Sequence, residues 1–183
     1  MTGHSLRESL THSIKELYSA EQQQLRVLTS FLHVASTPTL RQTLRLHLHE
    51  TRVQVSRLER VFSLLDEPIR WARCPGVQGI LEECQGALED HESGPVRDAG
   101  LVATAQRLDY YEMAAYGSAA GWAEALDLPE VAALLQASLD EEVAAADQLL
   151  AAAIDDIHEA AAHASRQFDS GHTSARRGHL GAD

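Results

Sequence analysis

Residues 40–61, LRQTLRLHLHETRVQVSRLERV, contain the pattern from which the fold is first predicted. One line of residues advances through this stretch by threes and fours, which is the spacing of a single helix face. The line consists of Leu40, Leu44, His47, Glu50, Gln54, Leu58 and Val61. Its two ends are apolar and its centre is polar. The stretch therefore predicts a long helix with buried apolar ends and polar chemistry at mid-length.

Three further segments have helical spacing with acids at the centre of an apolar line. In the first, about residues 5–34, Glu21 lies seven residues from both Ile14 and Leu28, so it points where a leucine would be expected. The two lines nearer the carboxyl end are Val102, Ala105, Asp109, Glu112, Tyr116 and Ala119, then Val131, Leu135, Ser138, Glu142, Ala145 and Leu149. Four helices with inward acids are therefore predicted.

The segments between these helices define the predicted topology. Glu67–Pro95 contains prolines and glycines and one short amphipathic stretch, which indicates a crossover with its own small helix. We predict an all-α fold in which two antiparallel hairpins, joined by this crossover, form a four-helix bundle over residues 1–162. Residues 163–183 are rich in Ser, Gly, Arg and His and are predicted to be a disordered tail.

The inward glutamates are predicted to lie at one height. In an antiparallel hairpin, residues equidistant from the turn are level, and the midpoint between Glu21 and Glu50 is the junction of residues 35 and 36. The midpoint between Glu112 and Glu142 is Asp127, in the second predicted turn. Each glutamate is thus about 15 residues, or about 22 Å, from its loop. Each hairpin carries a level pair of inward acids.

Buried carboxylates need a cation or protons, because an unpaired buried charge costs several kcal/mol. No lysine or arginine lies on the inward lines at this height. We therefore predict two divalent metal ions held by carboxylates, as in bundle di-iron and di-manganese sites. The alternative is that individual acids rotate to the bundle surface.

The overall charge of the chain disfavours two classes of binding partner. The formal net charge is −12, with 27 acidic and 15 basic residues, which disfavours nucleic acid and anionic membranes as partners. No apolar run is long enough to predict a membrane span. A cytoplasmic location is the default expectation.

Several motifs resemble the YciE/YciF family of bacterial ferritin-like stress proteins. They are Tyr18-Ser19-Ala20-Glu21, His47-Leu48-His49-Glu50-Thr51 with Gln54, Pro95-Val96-Arg97-Asp98-Ala99, Tyr111-Glu112 with Ala115-Tyr116-Gly117, and Leu139-Asp140-Glu141-Glu142. The resemblance covers about residues 13–154. It implies a ferritin-like fold, a homodimer and a rubrerythrin-like dinuclear metal site, in a family without an established biochemical activity.

The resemblance also implies a set of metal ligands. They are Glu21, Glu50, Gln54, Asp109, Glu112 and Glu142, with Asp109 where the family usually has glutamate. Iron is the favoured metal, and manganese is the alternative. His47 either binds metal or orients a carboxylate, and the second role is favoured because the family site is rich in carboxylates. For Tyr116, a hydrogen bond to a ligand and simple packing remain equal alternatives.

Two hypotheses for function follow. The first is a redox protein whose metal centre reacts with a small oxidant, oxygen or peroxide. The second is a non-catalytic dimeric stress-response bundle with a structural or vestigial metal site. Bound metal and its reaction with oxygen distinguish the two hypotheses.

Overall fold

The predicted ferritin-like four-helix bundle is confirmed in a computed structural model of the chain. The structure describes residues 5–89 and 94–167, with the backbone alone for 83–89, and these residues form no strand. The helices are α1 (Leu6–Val34), α2 (Pro38–Leu64), α3 (Pro75–Glu89), α4 (Pro95–Ala125) and α5 (Pro129–Ala152). Hairpins α1–α2 and α4–α5 pack together, and α3 is the short helix predicted in the crossover.

Local sequence signals determine where the helices begin and end. Ser5 and Glu8 form a capping box at the start of α1, in which the Ser5 amide donates to the Glu8 carboxylate at 2.7 Å. Helices α2, α4 and α5 each have a proline in their first turn. Between α4 and α5, Asp127 adopts a φ of 55°, which allows the short turn predicted there.

Two apolar clusters close the ends of the bundle and leave a polar layer between them. The first joins the starts of α1 and α5 to the ends of α2 and α4, and includes Leu10, Ile14, Phe62, Ala123 and Leu135. The second joins the opposite ends and includes Leu28, Leu44, Leu101, Val102 and Leu149. Hence α1 is antiparallel to both α2 and α4. Cys74 and Val77 pack against Ala20 and Leu108, which attaches the beginning of the α3 region to α1 and α4.

Helical structure continues beyond α5. A π-helical turn, Ala153–Ile157, follows directly, and the chain stays helical to residue 167. The sequence predicted that the bundle would end at residue 162, so the helix is longer than expected and includes residues 163–167 of the predicted tail. Residues 168–183, the rest of that tail, lie outside the described residues. None of the described helices is both long and apolar enough to cross a bilayer.

Asp98 of α4 caps α2 from across the bundle. Its side chain is fully buried, and its two carboxylate oxygens accept hydrogen bonds from the amides of Ser36 and Thr37, both at 2.8 Å. Thr37 is the N-cap residue of α2 but makes no side-chain capping bond itself. Asp98 therefore satisfies amides at the start of this helix and fixes the two hairpins relative to each other.

Asp98→Asn is expected to lower the free energy of unfolding by about 1–2 kcal/mol, because the amide can accept only one of the two hydrogen bonds and turns its NH₂ toward the other donor. Urea unfolding followed by circular dichroism measures the change. Asp147→Asn, at an exposed position of α5, is the control. Equal stability of Asp98→Asn and the parent protein would show that the cap contributes nothing.

Candidate metal centre

All four bundle helices contribute to the polar layer between the two apolar clusters. Its side chains are at most 2% exposed, and they are Glu21, Gln24, His47, Gln54, Asp109, Glu112, Tyr116 and Glu142. Ionisable groups are almost never buried so deeply unless they are paired or bind a metal. The stripe pattern thus predicted correctly that acids from three helices lie inside.

The ligand atoms of this layer form two groups of three that share Glu142. One group is His47, Asp109 and Glu142, and the other is Glu21, Glu112 and Glu142. Within each group the ligand atoms all lie within 4.8 Å of one another. Such spacing can place three donors around one cation. Because a carboxylate has two oxygens, Glu142 is able to serve both groups.

Several buried oxygens of the layer have no hydrogen-bond partner in the described part of the chain. They are Glu21 Oε2, Asp109 Oδ2, Glu142 Oε2 and both oxygens of Glu112. Buried acceptors in proteins are nearly always satisfied, so acceptors that face one another without donors fit a cation. Carboxylates with one imidazole are a donor set that suits iron or manganese. The residues present therefore fit the metal that the resemblance implies.

The pKa values of the acids in the layer also indicate that their charges need neutralising. Burial raises the pKa of Glu21, Asp109 and Glu112 well above the usual carboxyl range, and the neighbouring carboxylates raise it further. Burial also raises the pKa of Glu142 to about 8. In the absence of a cation, these groups retain protons at a pH where exposed carboxyls have lost them.

His47 lies within the cluster of carboxylates. Its Nε2 is 3.6 Å from Asp109 Oδ1 and 3.9 Å from Glu142 Oε2. Burial lowers the pKa of His47 to about 4, so its ring is neutral at physiological pH and able to bind a metal. The sequence favoured an orienting role for His47, whereas this position among the carboxylates favours the ligand alternative.

Gln24 belongs to the layer, although the sequence pattern did not predict it. Its Nε2 lies 2.9 Å from His47 Nε2 and donates to Asp109 Oδ1 at 3.4 Å. With Gln24 as the donor, the His47 ring accepts at Nε2. A metal at that nitrogen would have to displace this hydrogen bond. The available sequence signal was the position of Gln24, three residues after Glu21 on the same helix face.

Two polar side chains hold carboxylates of the layer in place. Gln54 donates from Nε2 to Glu142 Oε1 at 2.7 Å, while its own Oε1 is buried without a partner. The Tyr116 hydroxyl donates to Glu21 Oε1 at 2.5 Å. Of the two alternatives for Tyr116, the structure therefore has the hydrogen bond to a site carboxylate. Such contacts orient ligands and tune their basicity.

Glu50 lies at the margin of the layer, not inside it as predicted. Its side chain is only half-buried, and it belongs to neither three-residue group, although its Oε2 is buried without a partner. The inward position on this turn of α2 is occupied by Thr51, which is fully buried and donates to the His47 carbonyl at 2.9 Å. A turn of 3.6 residues places 47, 51 and 54 on the inner face and rotates Glu50 toward its edge.

One arginine, Arg57 of α2, also lies near the height of the polar layer, although it is not on the inward line of its helix. Arg57 of α2 makes a bidentate ion pair with Glu141, with both N···O distances 2.8 Å, and donates to Ser138 Oγ at 2.9 Å. Its side chain is 15% exposed. Its charge is largely committed to Glu141, so it does not replace a cation among the inner carboxylates.

The model of one known family, described as Domain of unknown function (DUF892), matches residues 5–162. The chain belongs to this family. Protein YciF of Escherichia coli K12 is 34% identical over 158 residues, which cover 86% of this chain and 95% of that protein. The predicted resemblance to the YciE/YciF family is thereby confirmed.

Solved structures of DUF892 relatives confirm the fold. The crystal structure of the E. coli stress protein YciF matches with a TM-score of 0.80 at 33% identity, covering 85% of this chain and 99% of that one. YcfI of Rhodopseudomonas palustris, a proposed structural protein, matches with a TM-score of 0.77 at 34% identity, covering 80% of this chain and 93% of that one.

Proposed function

We propose that this DUF892 protein binds two divalent metal ions, one on each side of Glu142, in a carboxylate-bridged centre. The observation that supports this proposal is the sharing of Glu142 by two groups of buried ligand atoms. Glu21 and Glu112 would complete one position, and His47 and Asp109 the other. Glu50 would add an oxygen from the margin, and Gln54 would add one from inside the layer, where its Oε1 is buried without a partner among the described residues. Iron is the favoured metal, with manganese as the alternative.

Bound iron would supply electron transfer to a small oxidant, oxygen or peroxide. The chain's own residues would hold the ligands and exclude water. Tyr116 fixes Glu21 and Gln54 fixes Glu142 through hydrogen bonds. The apolar clusters above and below the layer limit solvent access along the bundle axis. Glu50, the half-buried carboxylate at the margin of the layer, would lie where ions and oxidant enter from solvent.

The reactivity is tested by adding iron(II) anaerobically to the metal-free full chain, followed by a pulse of oxygenated buffer. We expect oxygen consumption and an increase in the near-ultraviolet absorption of ferric iron, both faster than in a protein-free control. Glu21→Gln, which removes one ligand charge at constant size, is expected to slow both signals. Iron that is bound but consumes oxygen no faster than free iron would rule out the redox role.

The second candidate is a non-catalytic bundle. It is favoured by the raised carboxyl pKa values, which allow protons to neutralise Glu21, Asp109 and Glu112 when no metal is bound. In that case the layer would be structural. The homodimer and the cytoplasmic location expected from the sequence are part of both proposals, and light scattering of the purified chain measures the mass.

A further inference from the structure

A pocket separate from the metal centre lies on the outer side of α1, beside the segment that leads into α3. Its volume is about 530 Å³, within the range of small-molecule sites. Tyr18 and Arg26 of α1 form one side, and Trp71 and Arg73 of the crossover form the other. Cys74, which is 1% exposed, lies at its base. The remaining lining residues are serine and glutamine.

Trp71 is the most unusual of these residues. It is 71% exposed, the largest value among the exposed hydrophobic side chains of the described residues. An indole ring that packs against so little protein offers a free aromatic face. Planar heterocycles stack on such faces with little dependence on their identity. The pocket therefore has a surface for a flat ring.

The charge of the pocket is opposite to that of the whole chain. The net charge is −12, yet the lining includes two arginines and no acid. The Arg26 guanidinium makes no hydrogen bond or ion pair within the described ranges, and Arg73 donates only to the neutral Gln78 Oε1, at 3.0 and 3.2 Å. Two acids lie next to lining residues but outside the lining itself: Glu59 accepts from the Tyr18 hydroxyl, and Glu82 accepts from Gln78 Nε2. Two available guanidinium groups suit a phosphate.

We propose that this pocket binds a phosphorylated planar heterocycle, with its ring stacked on Trp71 and its phosphate held by Arg26 and Arg73. A nucleotide and a flavin mononucleotide are the two sources of this chemistry. The proposal does not depend on metal binding, since none of the pocket residues belongs to the polar layer.

The pocket is nevertheless connected to that layer. Cys74 Sγ lies 3.1 Å from the Tyr111 hydroxyl, and Tyr111 directly precedes Glu112. Gly76 leaves room for the Tyr111 ring, because a Cβ at this position would collide with it. A ligand on Trp71 would thus be linked through Cys74 and Tyr111 to the helix turn that carries Glu112.

The test is a titration of the metal-free full chain with flavin mononucleotide, followed by quenching of flavin fluorescence, and with adenosine monophosphate as competitor. We expect saturable binding that Trp71→Ala weakens about 10-fold or more, as for loss of a stacked ring. Arg26→Ala is expected to weaken it by a similar factor through loss of a charged hydrogen bond. Trp122→Phe and Arg45→Ala change the same residue types outside the pocket and should leave binding unchanged.

Riboflavin and inorganic phosphate test the ring contact and the phosphate contact separately. Each is expected to bind at least about 10-fold more weakly than the flavin mononucleotide, since each lacks either the charged contact or the stacked ring. Binding of only one of the two mononucleotides supports the site and identifies its source. The proposal is overturned if neither mononucleotide binds saturably, if phosphate competes equally well, or if Arg45→Ala weakens binding as much as Arg26→Ala. Circular dichroism of each variant excludes misfolding.

Discussion

Glu142→Gln is expected to lower the affinity for manganese(II) or iron(II) by more than about 100-fold at both positions. Replacing residues that merely orient a ligand already costs about 10–100-fold in metal affinity. Glu142 is the one residue shared by both groups of ligand atoms. Its loss should therefore affect both positions, whereas loss of Asp109 or Glu112 should mainly affect one.

Glu142→Gln tests the charge of the carboxylate alone, because it keeps the size of the side chain. Gln54, which donates to Glu142 Oε1 at 2.7 Å, can donate equally to the amide oxygen of a glutamine. Calorimetric titration of the metal-free protein measures affinity and stoichiometry. Asp140→Asn, an exposed neighbour on α5, removes the same charge and should change neither. Unaltered binding by Glu142→Gln would exclude the shared-carboxylate centre.

Glu112→Gln is expected to have opposite effects on metal binding and on stability. It should lose metal at the position formed with Glu21. At pH 8 it should stabilise the metal-free bundle by on the order of 1–3 kcal/mol, because a buried ionisable group is replaced by a neutral one. The new NH₂ can also donate to Glu21 Oε2 and Glu142 Oε2, for which the described residues of the parent protein offer no donor.

The pH dependence follows from the raised pKa values. An acid whose pKa is higher in the folded state binds more protons when folded, so its contribution to stability is complete below the unfolded pKa and is lost as pH rises through the folded pKa. For Glu142 that window runs from about 4.5 to about 8. As pH rises through this window, the free energy of unfolding of the metal-free parent should therefore fall by up to about 1.4 kcal/mol per pH unit for each such group.

The gain in the free energy of unfolding of metal-free Glu112→Gln over the parent should accordingly be near zero at pH 4 and should grow toward pH 8. Urea unfolding at pH 4, 6 and 8 in the presence of a chelator measures it. Glu124→Gln, at an exposed position of the same helix, should show no such trend. A variant that is less stable than the parent at pH 8 would mean that Glu112 is not part of a cluster of buried, like-charged groups.

The sequence predicted the features that depend on helical periodicity. Glu21, Glu112 and Glu142 lie on helix lines whose two ends are apolar, and any rotation that exposed these acids would also expose the leucines or valines of those ends. The equal height of Glu112 and Glu142 follows from the symmetry of their hairpin, which the turn at Asp127 fixes. The fold and the inner acids could therefore be read from spacing alone.

The remaining features depend on contacts between helices, which spacing does not determine. Glu50 and Thr51 are adjacent, and the rotation of α2 against its neighbours decides which of them points inward. Gln24 reads as an ordinary polar residue until His47 is placed opposite it. Arg57 approaches the layer only because Glu141 and Ser138 of α5 lie across from it. Asp98 caps a helix 61 residues away in sequence, which no local capping pattern indicates.

A two-metal centre at Glu142 is tested by crystals of the full chain grown with manganese(II), from which anomalous scattering data are collected. We expect two anomalous peaks inside the bundle on opposite sides of the Glu142 carboxylate, one near His47 and Asp109 and one near Glu21 and Glu112. Crystals without peaks in the polar layer at saturating manganese, or with a peak only at surface acids, would contradict a two-metal centre at Glu142.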